Sequence, residues 1–194
     1  MSAPSRLQAV LARIDKANSQ DPKTEPTPGG AEPAALLDGR RMSAVLAEFS
    51  PGASEHAQIA VRGQHIERWK RPRNDFAEGR SGYLEWRLEA ARYHASRVSE
   101  LMKLEGYEEP ACERVTALIR KQRIKHDEEA QTLEDVACLV FMRWYFEPFA
   151  TSRTPEELYR IVEKTARKMS AAGRTAALKL PLPAELVPAI KAAG

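Results

Sequence analysis

The stretch QTLEDVACLVFMRWYFEPF, residues 131–149, limits what this chain can become more than any other. It holds no Gly, meets Pro only near its end, and is apolar on almost every side when wound at helical spacing. A helix of that kind is stable only where other helices cover it all round. The chain must therefore supply several amphipathic helices to wrap a buried central one, and its 194 residues suffice for one sizeable core.

The rest of the sequence supplies them. Leu7, Val10, Leu11 and Ile14 recur at helical spacing and predict a short amphipathic helix. The segment NSQDPKTEPTPGGAEP that follows is rich in Pro, Gly and polar residues and reads as a long loop. Further helices are predicted over 34–49, 54–70, 83–104 and 109–124, separated by SPG, Pro72 and Gly106. Thr154-Pro155-Glu156-Glu157 is a capping box with Pro at the first helical position, and opens a last helix that carries Leu158, Ile161, Val162 and Met169. No segment of useful length alternates with period two. The expected fold class is all-α, a single-domain helical bundle. Its parts are an N-terminal helix over 1–17, a Pro/Gly-rich loop over 18–33, a helical core over 34–180 and a C-terminal tail over 181–194.

Composition excludes more than it selects. Thirty Lys and Arg residues stand against 27 Asp and Glu, a net charge of +3. Cations so interspersed with anions do not by themselves indicate a nucleic-acid partner. Cys112 and Cys138 share no CxxC spacing and lie in apolar helical patterns, so both are expected to be buried free thiols, which fits a reducing cytoplasm. No apolar run reaches the roughly 18 residues of a membrane span, and the start MSAPSRLQAVLARIDKAN has no signal-peptide apolar core, so no membrane association is expected. A Gly-rich phosphate loop, a Ser-His-Asp order and a cysteine nucleophile motif are all absent from the sequence.

What chemistry there is gathers around VRGQHIERWKRPR, residues 61–73. On a helical wheel Ile59, Ile66 and Trp69 mark an apolar arc, with Arg62 inside it, His65 at its edge, and Gln64 and Glu67 facing away. In the next helix Leu84, Leu88, Ala91, Ala95, Val98, Leu101 and Met102 form the arc, and Arg87 and His94 fall inside it. In the central helix Asp135 is flanked by Cys138, Leu139, Met142 and Phe146. Burying such groups is costly unless they are paired or bind something. His65, His94 and Asp135 are thus three candidate inward ligands for one divalent metal ion, or an acid–base set, since two imidazoles and a carboxylate suit such an ion. Arg62, Arg68, Arg71, Arg73 and Arg87 are candidate anion contacts, with Trp69 as a stacking partner. The same pattern also arises from a purely structural network of Arg–Asp pairs and hydrogen-bonded histidines. Cations at the end of a helix also simply complement its dipole.

The segments RMSAVLAEF, GQHIERWKRPR, GYLEWR, YHASRVSELMKLEGYEE and QTLEDVACLVFMRWYF together resemble the domain of unknown function 4202 family, from about Ile14 to Leu180. That resemblance implies one domain and carries no activity. The order of elements is also similar to that of HD-domain metal phosphohydrolases, which implies an HD-like helical core. On that likeness His65 matches the His of the His-Asp pair, His94 a later His and Asp135 the last ligand. Ile66 stands where the Asp of the pair belongs, no His lies near Asp38, and Gln122 and Arg123 replace further histidines.

Two functions follow as expectations. In the first, a cleft between the third, fourth and sixth helices binds a small anionic ligand, phosphate-bearing or nucleotide-like. If a metal binds there, the reaction is phosphoester hydrolysis by a metal-bound water. In the second, the protein is a non-catalytic, degenerate HD-like module that contacts RNA or a protein partner through its basic face.

Overall fold

A computed structural model describes residues 4–122 and 124–193. The fold is all-α apart from one hairpin. Helix α1 (Arg6–Asn18) starts at a capping box in which Ser5 and Gln8 satisfy each other's backbone amides. The predicted loop then contains two short strands, β1 (Thr24–Thr27) and β2 (Gly30–Pro33), paired antiparallel with Thr27 opposite Gly30. Period-two reading missed them because each strand is four residues long. The turn is made by Pro28, Gly29 and a Gly30 whose φ of 118° only glycine adopts readily.

Helix α2 (Ala34–Phe49) follows directly, then α3 (Glu55–Gly63), capped by Ser54. The third helix is shorter than its periodicity predicts, ending at Gly63 rather than near Lys70. Helices α4 (Gly79–Leu104) and α5 (Glu109–Ile119) form an antiparallel pair, with Gly106 at φ 75° in the turn between them. The central apolar stretch becomes α6 (Glu128–Val140), whose N-cap Asp127 is held by Arg114. The same helix runs on through a π-helical segment, Phe141–Tyr145, into α7 (Phe146–Ala150). The expected capping box opens α8 (Pro155–Ala166), and Ser170 caps α9 (Ala171–Ala177).

As the wheel requires, α6 is buried on nearly all sides and packs against α2, α3, α5 and α9. Val10 and Ile14 of α1, Met42 and Val45 of α2, Ile59 of α3, Val98 and Met102 of α4 and Leu118 of α5 belong to the same core. Two expectations need correcting. The segment expected as a tail, described through residue 193, is packed: Leu186, Ala189 and Ile190 are buried, and α10 (Val187–Lys191) docks on α8. The apolar side chains in the first turns of α4 are not inward-facing: Leu84 and Leu88 are 47% and 62% exposed, because there only the preceding loop packs on α4, at Gly82 and Trp86. Both cysteines are free and buried, as expected. Among the described residues no helix is long and apolar enough to cross a membrane.

Candidate functional site

The site is built around the turn that ends α3. Gly63 lies so close to α4 that a Cβ there would stand 2.5 Å from Val98 Cγ2. The chain then leaves the helical path: Glu67 takes a left-handed backbone, φ 52°, which costs a residue with a Cβ about 1–2 kcal/mol. Four neighbours hold that conformation. The Glu67 amide donates to Asn18 Oδ1 at 2.9 Å, and its carboxylate accepts from the Tyr93 hydroxyl at 2.6 Å, Lys70 at 2.8 Å and Arg97 at 3.2 Å. One residue earlier, the Ile66 carbonyl bonds His94 Nδ1 at 2.7 Å. Gln64 and Glu67, expected to face away, are both 5% exposed, because a wheel drawn through Lys70 does not describe a helix that stops at Gly63.

The turn sends His65, Arg68 and Trp69 to one cleft of about 540 Å³. Its other walls are Asp38 and Met42 of α2, Lys23 and Glu25 of the hairpin region, and Ala137, Val140, Phe141 and Tyr145 of α6 and its π-helical continuation. A π-segment is uncommon and recurs at functional sites, since it turns side chains off the α-helical register. Asp38 Oδ2 lies 2.8 Å from His65 Nδ1. Burial pushes the Asp38 carboxyl up, but the bond and charge of His65, the charge of Arg68 and the Tyr145 hydroxyl outweigh it and hold the group below its ordinary value. Burial and the Asp38 charge push the Tyr145 phenol up, so it stays protonated. Glu25 is paired with Arg41 at 2.8 Å. Lys23 and Arg68 have no carboxylate within ion-pair distance among the described residues. The cleft therefore offers two unpaired cations, an imidazole–carboxylate pair and an aromatic and aliphatic lining.

The structure sorts the other candidates. Arg62 donates to both oxygens of Asp15, at 2.7 and 2.6 Å, and braces α3 against α1. Arg73 donates to the carbonyls of Phe76 and Ala77 at 2.9 and 2.8 Å and shapes its own loop. Arg71 donates to the Lys70 carbonyl and stacks over Tyr93. Arg87, expected inside the arc of α4, is exposed and sits over Tyr83. His94 is buried behind the turn, its ring centroid 6.2 Å from that of His65. Burial and the neighbouring His65 charge lower its pKa to about 3 against the raising effect of the Ile66 carbonyl, so it is neutral.

Asp135 does not join the two histidines. Its Oδ1 accepts the Ser170 amide at 2.8 Å and its Oδ2 the Ser170 hydroxyl at 2.5 Å, and α9 approaches so closely that a Cβ on Gly173 would stand 2.5 Å from Oδ1. Among the described residues no three His, Cys, Asp or Glu side chains are grouped as a metal would need. The histidine pair is brought together, but the three-ligand set is not. Arg123, expected near the end of α5, lies outside the described residues.

The sequence profile of the domain of unknown function 4202 matches residues 8–190. The chain belongs to that family. No curated protein and no solved structure matches it. The site of this DUF4202 chain therefore has to be argued from its own geometry.

Three of its residues escaped sequence reasoning. Asp38 falls on the stripe of α2 that also carries Ala35, Met42 and Val45, all buried. A carboxylate at a core position was the available signal. Tyr145 left none, because the π-segment shifts its register. Lys23 reaches the cleft only through the unforeseen hairpin.

Proposed function

We propose that the DUF4202 cleft binds a small phosphate-bearing anion and that His65, oriented by Asp38, serves as its acid–base group. The observation that carries this reading is the 2.8 Å contact of Asp38 Oδ2 with His65 Nδ1 beside two unpaired cations. An ionised Asp38 accepts the Nδ1 proton and fixes the tautomer whose Nε2 has a lone pair. Such a nitrogen takes a proton from an attacking water and returns it to the leaving oxygen. Arg68 and Lys23 would neutralise the phosphoryl oxygens, the guanidinium by paired hydrogen bonds. Trp69, Phe141 and Met42 would cover the ligand's apolar part. The HD-like reading is supported by the succession of elements, a polar group from α2, a His after α3 and a last wall from α6 at the cleft, with a His from α4 directly behind it.

A second reading adds a divalent metal on His65 and His94. It is favoured by their Nδ1 atoms being engaged already, by Asp38 and by the Ile66 carbonyl, as the outer partners of metal-bound imidazoles are. Such an ion would supply an activated water.

The test is binding of inorganic phosphate and hydrolysis of p-nitrophenyl phosphate by the wild-type chain and by His65→Ala and Arg68→Ala, with elemental analysis of protein purified without chelator. Saturable binding lost in Arg68→Ala and turnover lost in His65→Ala are expected. Turnover that survives His65→Ala overturns the acid–base role, and undiminished phosphate binding in Arg68→Ala overturns the cleft as the anion site. A stoichiometric metal that disappears in His65→Ala selects the second reading.

A further inference from the structure

Away from the cleft, α4 and α5 enclose a second, open groove of about 300 Å³ with buried Ala95 as its floor. Every side chain that lines it except Ala95 is polar or charged. Arg92, Ser96, Ser99 and Lys103 follow one another along α4 at helical spacing, and Thr116 and Arg120 face them from α5. A Ser or Thr inside a helix commonly bonds the carbonyl one turn back, as Thr132, Thr165 and Thr175 do at 2.9, 2.8 and 2.9 Å. Ser96, Ser99 and Thr116 make no side-chain hydrogen bond with any described residue.

Of the three cations one is unspent and two are in surface ion pairs. Arg92 meets Glu89 only at 3.9 Å, and Arg120 has no carboxylate within ion-pair distance among the described residues. Lys103 is engaged by Glu109 at 2.6 Å. The groove's carboxylate, Glu100, is drawn off by Arg97 at 2.9 Å. The free guanidinium of Arg120 and the loosely paired one of Arg92, facing three unpartnered hydroxyls, match the donors that phosphate oxygens accept best.

We propose that the α4–α5 groove is a binding site for a phosphate group, separate from the cleft at His65. The groove is open and wider than the ion, so the phosphate belongs to a larger molecule, either a small phosphorylated metabolite or a nucleic-acid backbone.

The experiment is an amide NMR titration of the full chain with inorganic phosphate, with sodium chloride at matched ionic strength as control, and with a single-stranded RNA oligonucleotide as a second arm. Saturable shifts at Ser96, Ser99, Thr116 and Arg120 are expected with phosphate and not with chloride. They should weaken about tenfold or more in Arg92→Ala/Arg120→Ala. Signals from His65 and Arg68 report the cleft independently. Ser96→Ala/Ser99→Ala, at positions that tolerate the change without loss of core packing, should weaken phosphate binding in the same groove. RNA that saturates the same amides more tightly than phosphate identifies the backbone as the source. RNA no tighter than phosphate identifies the small ligand. Absence of saturable shifts with phosphate, equal shifts with chloride, or undiminished binding in both variants overturns the site.

Discussion

His94 Nδ1 bonds the carbonyl of Ile66 at 2.7 Å, so a buried imidazole of α4 holds the residue that lies between His65 and Glu67. The ring is neutral, and the fold depends on its staying so. Its pKa falls from an ordinary 6.5 to about 3 on folding. A lowered value means that protonation favours the unfolded chain. The contribution of neutral His94 is therefore complete above about pH 6.5 and is lost progressively as pH falls toward 3, by at most about 1.4 kcal/mol per pH unit. Urea midpoints measured from pH 7 to 5, above the range where carboxylates titrate, should decline in the wild type. His94→Gln should be less stable at pH 7 and nearly flat over that window. Equal slopes would mean that another group controls the acid response.

On the proposed reading an ionised Asp38 fixes the tautomer of His65, and Asp38→Asn with its amide nitrogen turned toward Nδ1 would reverse it. The Asn amide donates where the carboxylate accepted, so the Nδ1 lone pair turns inward and Nε2 carries the proton. On the acid–base reading, p-nitrophenyl phosphate turnover should fall by about a hundredfold or more while the melting temperature moves little. The ¹⁵N shifts of the His65 ring check the cause directly. An unchanged tautomer would remove Asp38 from the mechanism.

Glu67 occupies a backbone region that glycine enters at no cost, yet the residue is Glu. Its carboxylate explains the choice: Tyr93, Lys70 and Arg97 hold it from behind the turn. In Glu67→Gly the gain of about 1 kcal/mol in backbone energy offsets part of the lost hydrogen bonds, so the fold should survive. Phosphate affinity at the cleft should drop, because His65 and Arg68 are no longer held together. Full phosphate affinity in this variant would reduce Glu67 to a turn-forming residue.

Asp135 anchors the first turn of α9 through Ser170. Replacing it by Ala should destabilise the chain by about 1–3 kcal/mol, the usual cost of stranding a buried cap. Phosphate binding and metal content should stay as in the wild type at temperatures where the fold persists. A selective loss of metal without loss of stability would return Asp135 to the ligand set.

The division between sequence and tertiary structure runs through these same residues. Hydrophobic periodicity alone determined the all-α class, the central place of α6, and the inward direction of Arg62, His94 and Asp135, because a 3.6-residue repeat fixes which side of a helix must leave water. It reached the cleft in part, through His65, Arg68 and Trp69. It could not say what the inward polar groups meet. Arg62 meets Asp15, 47 residues away, and Asp135 meets Ser170, 35 residues away. Partner choice over such separations depends on how helices cross, which no local pattern encodes. Nor does a wheel survive a break in the helix: the left-handed turn at Glu67 and the π-segment at Tyr145 each reset the angular register. Asp38, His65 and Tyr145 therefore share one cleft for a reason that exists only in the packed molecule.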